Sequence, residues 1–256
     1  MFRGVYPPIP TPFVDGRPAL DRLRENVRHW SRTGLTGFVV AGSNGEGAYL
    51  SDEETCAAVR TVREAAPGLK VIAGTGRETT EATIRLTKAC ADAGADAALI
   101  LPPHYFASGM TPAVLRRHFE AVADASPIPI LLYNMPRNTQ VNLDASLAAA
   151  LAEHPNIAGM KDSGGNIVQI SETIAQAPED FEVFAGSGSY LLPSLVMGAA
   201  GGMMAVANVA PEVCVRIVEL VEKGDLRTAR RLQQALLPVN AAVTTRLGVP
   251  GLKADR

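Results

Sequence analysis

Short runs of Val, Ile, Leu and Ala alternate along the chain with longer stretches in which apolar residues recur every three or four positions. The first pattern is typical of buried strands and the second of amphipathic helices. The predicted strands are residues 5–11, 37–41, 70–73, 97–101, 129–133, 158–161, 182–185 and 202–206. The predicted helices between them are residues 20–31, 52–65, 79–93, 111–125, 143–153, 166–177 and 191–198.

This alternation of strand and helix predicts the fold. Parallel neighbouring strands need a crossover connection, which a helix after each strand supplies. An open doubly wound sheet and a closed barrel both satisfy the pattern, and eight strands in 256 residues favour the barrel. After residue 210 the pattern is helical. We therefore predict an α/β (β/α)8 TIM barrel over residues 1–210 and a C-terminal helical segment over 211–256, without a closing helix at its end.

Composition and charge argue against several classes of function. The net charge is −2 at pH 7 and there is no basic stripe, so neither nucleic acid nor a membrane surface is an expected partner. No apolar run is long enough to span a bilayer and no signal sequence is evident, which predicts a cytoplasmic protein. The three cysteines and four histidines are scattered, and we expect neither a metal site nor a disulfide.

One lysine stands where an apolar run ends. Residues 157–160 form the end of a predicted strand, Lys161 follows, and the sequence then turns glycine-rich. The ordinary interpretation is an ion pair between Lys161 and a neighbour such as Asp162. The alternative is chemical, because burial disfavours an ammonium group and a neutral amine is a nucleophile.

The other strand ends favour the chemical interpretation. In a (β/α)8 barrel, functional groups lie at the C-terminal ends of the strands and in the loops after them. The groups predicted there, besides Lys161, are Ser43, Asn44, Tyr105, Tyr133, Gly186 and Ser187. An amine, a phenol and two Gly/Ser turns suit imine chemistry on a small 2-oxo acid. Each turn alone is also ordinary turn chemistry.

Three of these motifs resemble the dihydrodipicolinate synthase / N-acetylneuraminate lyase family. They are GSNGE at residues 42–46, YNMP at 133–136 and GMKDSGG at 159–165. The resemblance covers essentially the whole chain, beginning with residues 4–13. It implies a barrel with C-terminal helices, a homotetramer or homodimer, and a class I lysine that forms a Schiff base with pyruvate or another 2-oxo acid. No cofactor and no metal are then required.

Within the family, the Ser-Asn turn and the tail at residues 240–253 look most like 4-hydroxy-2-oxoglutarate aldolase. This implies cleavage of that substrate to pyruvate and glyoxylate through an imine. The catalytic residues implied are Lys161, Tyr133, Ser43 and Tyr105, the last from the same or a neighbouring subunit. The substrate contacts expected are Asn44, Ser163, Gly186, Ser187 and Met203.

Departures from the family pattern leave alternatives open. Synthases usually carry two threonines in the first motif and an arginine where Asn138 stands, whereas this chain has Arg137 one place earlier. Gln140 replaces an expected glycine, and the C-terminus is shorter than usual. The alternatives are 4-hydroxy-tetrahydrodipicolinate synthase, another 2-oxo-acid lyase or dehydratase, and a sensor that binds a 2-oxo acid without turnover.

Overall fold

The structure is a computed structural model that describes residues 1–254; the last two residues of the predicted C-terminal segment lie outside the described part. Eight parallel strands form one sheet: β1 (Gly4–Tyr6), β2 (Gly37–Val40), β3 (Lys70–Gly74), β4 (Ala97–Ile100), β5 (Ile130–Asn134), β6 (Ile157–Asp162), β7 (Glu182–Ala185) and β8 (Gly201–Met203). Their spatial order is β1-β8-β7-β6-β5-β4-β3-β2. Ile9 N donates to Val39 O (3.0 Å) and Val39 N donates to Pro7 O (3.0 Å), which joins β1 to β2. The predicted (β/α)8 barrel is confirmed.

Helices follow the strands and surround the barrel. They are α1 (Leu20–Trp30), α2 (Asp52–Ala65), α3 (Thr80–Asp92), α4 (Pro112–Ala125), α5 (Ala145–Ala152), α6 (Ile167–Gln176) and α7 (Leu191–Val196). Local signals set their starts: Ser51 and Glu54 form a capping box at α2, and Thr111 caps α4 ahead of Pro112. None of the helices within residues 1–254 is long and apolar enough to cross a membrane.

The first predicted strand was too long. It ends at Tyr6 instead of residue 11, because the prolines that follow lack the N–H that a strand ladder needs. A small antiparallel hairpin, Phe13–Val14 with Arg17–Pro18, comes next and was not predicted.

The helical pattern after residue 210 forms α8 (Pro211–Glu222) and α9 (Leu226–Ala241). A π-helical turn, Ala242–Arg246, and a final helix α10, Gly248–Ala254, continue the chain. The expectation of no closing helix was wrong. Pro250 reads as a helix breaker, but it lies in the first turn of α10, where a missing N–H costs no intrahelical hydrogen bond.

Inward-facing side chains fill the barrel beneath its mouth. The fully buried residues of this cluster include Tyr6, Val39, Ile72, Phe184 and Met203. Because this layer is packed, chemistry is confined to the C-terminal ends of the strands and to the loops above them.

Candidate active site

Lys161 lies near the C-terminal end of β6, inside the barrel. In the parallel register its neighbours are Tyr133 on β5 and Phe184 on β7. The lysine is 3% exposed, and its Nζ lies 4.1 Å from the centre of the Tyr133 ring. Strand pairing alone therefore brings the amine and the phenol together.

The carboxylate of Asp162 is engaged elsewhere. It accepts hydrogen bonds from Asn134 Nδ2 (2.8 Å), from Gln169 Nε2 (3.2 Å) and from the backbone N–H groups of the next two glycines (2.9 and 3.3 Å). Among the residues that the structure describes, no ion pair involves Lys161. An ion pair with Asp162 does not explain the buried lysine.

The Tyr133 hydroxyl lies between Lys161 and the turn after β2. Its oxygen is 3.3 Å from Ser43 Oγ. Burial by itself raises the pKa of Tyr133, but the charge of Lys161 and hydrogen bonds with Ser43, Lys161 and Ser163 oppose this, and the net pKa is lowered. A phenol with a lowered pKa releases and recovers a proton more readily near neutral pH.

A cavity of about 510 Å³ opens above this cluster. The predicted site residues that line it are Ser43, Asn44, Tyr133, Lys161, Ser163, Gly186 and Ser187. Side chains of the loop after β5 and of the C-terminal segment form its outer part. Seven of the nine predicted residues thus share one cavity.

The structure does not bring Tyr105 and Met203 to this cavity. Tyr105 is 78% exposed, and its ring packs edge-on against Phe106, with 4.9 Å between the ring centres. Met203 is fully buried in the inner cluster that also contains Tyr6 and Phe184. Met203 does not line this cavity, and its contact with substrate stays a prediction.

The loop of Tyr105 lies close to the back of the phenol. A second cavity of about 120 Å³ is bordered by Ser43, Tyr133 and His104, the residue before Tyr105. The Tyr133–Ser43 pair therefore borders both cavities, the one of about 510 Å³ that contains Lys161 and the one of about 120 Å³ next to the loop of Tyr105.

The loop after β5 keeps the turn that a glycine was expected to make. Gln140 adopts the left-handed conformation (φ 55°, ψ 12°), which is costly for a residue with a side chain. Arg137 and Asn138 both line the cavity from this loop. The one-residue shift of the arginine does not remove it from the site.

Two buried amides of α9 were missed as site residues. Asn240 Nδ2 donates to Ser189 Oγ (2.8 Å), and Asn240 Oδ1 accepts from Gly188 N (3.2 Å). Gln233 Nε2 donates to Gly188 O (2.6 Å). These bonds shape the turn after β7, and no local signal reveals them because each spans more than 40 residues.

Comparison with known proteins agrees with this geometry. A profile of the Dihydrodipicolinate synthetase family matches residues 1–255. This chain belongs to that family.

Among the residues described, no group of three or more His, Cys, Asp or Glu side chains is arranged to hold a metal ion.

Individual relatives carry two different names. A 4-hydroxy-tetrahydrodipicolinate synthase from Methanothrix thermoacetophila is 42% identical over 245 residues, 95% of this chain and 82% of that one. A probable mitochondrial 4-hydroxy-2-oxoglutarate aldolase from Emericella nidulans is 39% identical over 237 residues, 90% and 77% of the two chains. The protein is thus an enzyme of the aldolase or lyase type, and the relatives do not agree on the substrate.

A solved structure shows the same fold. Dihydrodipicolinate synthase from Acinetobacter baumannii, chloride inhibited and complexed with pyruvate, superposes with a TM-score of 0.91 at 31% identity. The match covers 95% of this chain and 84% of that one. The family membership predicted from the three motifs is confirmed.

Proposed function

We propose that the protein is a class I aldolase that cleaves 4-hydroxy-2-oxoglutarate to pyruvate and glyoxylate through an imine on Lys161. One observation carries the proposal: a buried amine, without a carboxylate partner among the described residues, lies 4.1 Å from the ring of a phenol whose pKa is lowered. Binding alone requires no proton relay, whereas forming and breaking an imine requires several proton transfers.

The reaction begins at the C2 ketone of the substrate. The Lys161 nitrogen, once it has given up its proton, adds to C2, and Tyr133 delivers a proton so that the carbinolamine loses water and becomes a protonated imine. Tyr133 then accepts the proton of the C4 hydroxyl while the C3–C4 bond breaks. The bonding electrons move into the imine, glyoxylate leaves, and an enamine remains.

Pyruvate is released in the second half of the reaction. The enamine takes at C3 the proton that Tyr133 accepted, which restores the imine, and water then adds to the imine carbon and frees both pyruvate and Lys161. The protonated imine is itself the electron sink, so the proposed reaction uses no cofactor.

The cavity has groups for both ends of this substrate. Ser43 and Asn44 lie in the turn after β2, where hydroxyl, amide and backbone N–H groups suit the C1 carboxylate. The far carboxylate would meet Ser163, Ser187 and the guanidinium of Arg137, which also line the cavity. The Emericella relative supports this choice of substrate.

The second candidate is 4-hydroxy-tetrahydrodipicolinate synthase, which joins pyruvate to aspartate semialdehyde. Relatives of this name, including those from Methanothrix and Exiguobacterium, favour it. Arg137 is a cation in the cavity wall that could hold the carboxylate of the semialdehyde. The imine on Lys161 is common to both candidates.

We also propose a homodimer or homotetramer in which Tyr105 completes the relay behind Ser43. Tyr49, Tyr105 and Phe106 are 81%, 78% and 73% exposed, which is unusual for aromatic side chains in water. Light scattering of the purified protein tests this assembly, and a monomer with full activity would contradict the role of Tyr105.

Borohydride reduction in the presence of pyruvate, followed by mass spectrometry, tests the central claim. A reduced adduct is expected on Lys161 and should be absent from Lys161→Ala. An adduct that persists in that variant contradicts the mechanism. Steady-state rates with 4-hydroxy-2-oxoglutarate, compared with pyruvate plus aspartate semialdehyde, decide between the two enzymes. An adduct without turnover of either substrate would indicate a sensor.

A further inference from the structure

The C-terminal segment crosses the mouth of the barrel. We call residues 240–253 the strap. Five of its residues line the outer part of the 510 Å³ cavity: Val243, Thr244, Thr245, Gly248 and Val249. The outer wall of the site is therefore built partly by the strap and not only by the barrel loops.

Asn240 fixes the first end of the strap. Its side chain is 1% exposed and bonds to the turn after β7 through Gly188 N, Ser187 Oγ and Ser189 Oγ. A buried amide that uses both its donor and its acceptor atoms in this way is costly to displace. This end is anchored to the turn that supplies Gly186 and Ser187 to the cavity.

Lys253 fixes the second end at the turn after β2, three strands from β7 around the barrel. Its Nζ forms an ion pair with Glu46 and lies 4.4 Å from the centre of the Phe13 ring. The Glu46 oxygen that it faces is buried. Glu46 N donates to Ser43 O (3.2 Å), so Lys253 is tied to the turn that carries Ser43 and Asn44.

Between its anchors the strap has few buried contacts. Val243 and Leu252 are its buried apolar side chains, while Thr245, Arg246 and Leu247 are exposed. Its first part is the π-helical turn Ala242–Arg246, an irregular geometry that is frequent at functional sites. With so little core of its own, the strap depends on its two ends for its position.

We propose that Lys253 is a positioning residue whose ion pair with Glu46 holds the strap across the mouth, and that the strap sets the length of 2-oxo acid that the cavity accepts. This inference rests on the proposed function. The imine of pyruvate ends one carbon beyond C2, at the methyl group, whereas the five-carbon substrate continues through C4 to a second carboxylate at C5, nearer to the strap. Loosening the strap should weaken binding of the longer molecule only.

Amide hydrogen exchange and kinetics together test this role in Lys253→Met. A partly exposed ion pair contributes about 1 kcal/mol, which corresponds to about a fivefold effect. Exchange in peptides from the strap should therefore become about fivefold faster without ligand. The KM for 4-hydroxy-2-oxoglutarate should rise by about the same factor, while the pyruvate concentration that gives half-maximal borohydride trapping changes less than twofold.

Three further variants make the test specific. Glu46→Gln removes the other charge and should reproduce the effects of Lys253→Met. Lys253→Arg keeps the positive charge and should therefore keep the wild-type exchange rate and KM. Lys70→Met is the matched control, because Lys70 also forms an ion pair, with Asp96 at 3.3 Å, but lies at the opposite end of the barrel. It should leave exchange in the strap unchanged.

Unchanged exchange in the strap of both Lys253→Met and Glu46→Gln would overturn the anchoring role. An equal weakening of pyruvate and of the longer substrate would overturn the role in substrate length. If the wild-type protein forms no adduct with pyruvate, the proposed function fails, and the exchange result still decides whether Lys253 anchors the strap.

Discussion

Replacing Asp162 by asparagine tests whether this carboxylate stabilises the fold or takes part in the chemistry of Lys161. The carboxylate accepts from two side-chain amides through Oδ2 and from two backbone N–H groups through Oδ1. An asparagine keeps one acceptor oxygen and places an NH₂ group against the other pair of donors. About two hydrogen bonds to a charged acceptor are lost, each contributing about 1.5–3 kcal/mol.

The side-chain amides of Asn134 and Gln169 cannot flip to restore these hydrogen bonds. Asn134 Nδ2 also donates to Asn142 Oδ1 (3.0 Å), and Asn134 Oδ1 accepts from Leu143 N (3.0 Å). Gln169 Nε2 also donates to Leu143 O (3.2 Å). We therefore expect Asp162→Asn to lower the free energy of unfolding by about 3–5 kcal/mol, and Tm by about 10 °C.

Urea and thermal unfolding measure this loss, and borohydride trapping at 20 °C measures imine formation in the folded variant. Trapping should stay within about threefold of wild type, because the carboxylate is not the partner of Lys161. Asp144→Asn is the control: Asp144 caps α5 by accepting from Leu147 N (2.9 Å), a role that asparagine fills equally well. A stable Asp162→Asn that no longer forms the imine would refute the reasoning.

Three further changes test separate features. Tyr133→Phe keeps the ring beside Lys161 but removes the relay, so kcat should fall about 10²–10⁴-fold with little change in KM, measured by steady-state kinetics. Gln140→Gly relieves the left-handed backbone and should raise the unfolding free energy by about 0.5–1 kcal/mol in urea. Burial lowers the pKa of His118 from 6.5 to about 4, so the unfolded chain binds the extra proton first and stability falls as pH drops through this window. Between pH 7 and pH 4, the free energy of unfolding of His118→Gln should fall by about 2–3 kcal/mol less than that of the wild type. An equal loss in both proteins would contradict this.

The barrel was predictable because its signals are local. Each strand is a short buried run, and capping residues such as Ser51 and Thr111 mark where helices begin. The register that places Tyr133 beside Lys161 also follows from the fold, since both end adjacent parallel strands. Seven of nine predicted site residues reached the cavity for this reason.

What could not be predicted depends on contacts distant in sequence or on depth. Asn240 bonds to Ser189, 51 residues earlier in the sequence, and nothing near it in the sequence indicates this contact. Met203 stands at a strand end as the prediction required, yet it is fully buried among the inner side chains and does not line the cavity. The final helix α10 was not predicted, because a proline is compatible with a helix only at certain positions within it.

The two halves of the cavity therefore differ in how they are built. Strand ends fix the amine, the phenol and the turn of Ser43, and backbone pairing leaves these positions little freedom. The outer half comes from the loop of Arg137 and from the strap, which are held by side-chain contacts. Substitutions can alter such contacts without disturbing the barrel, so relatives with one imine chemistry can act on different second substrates. Exchanging Arg137 and Asn138 should accordingly change the preferred substrate while borohydride trapping of pyruvate on Lys161 stays the same.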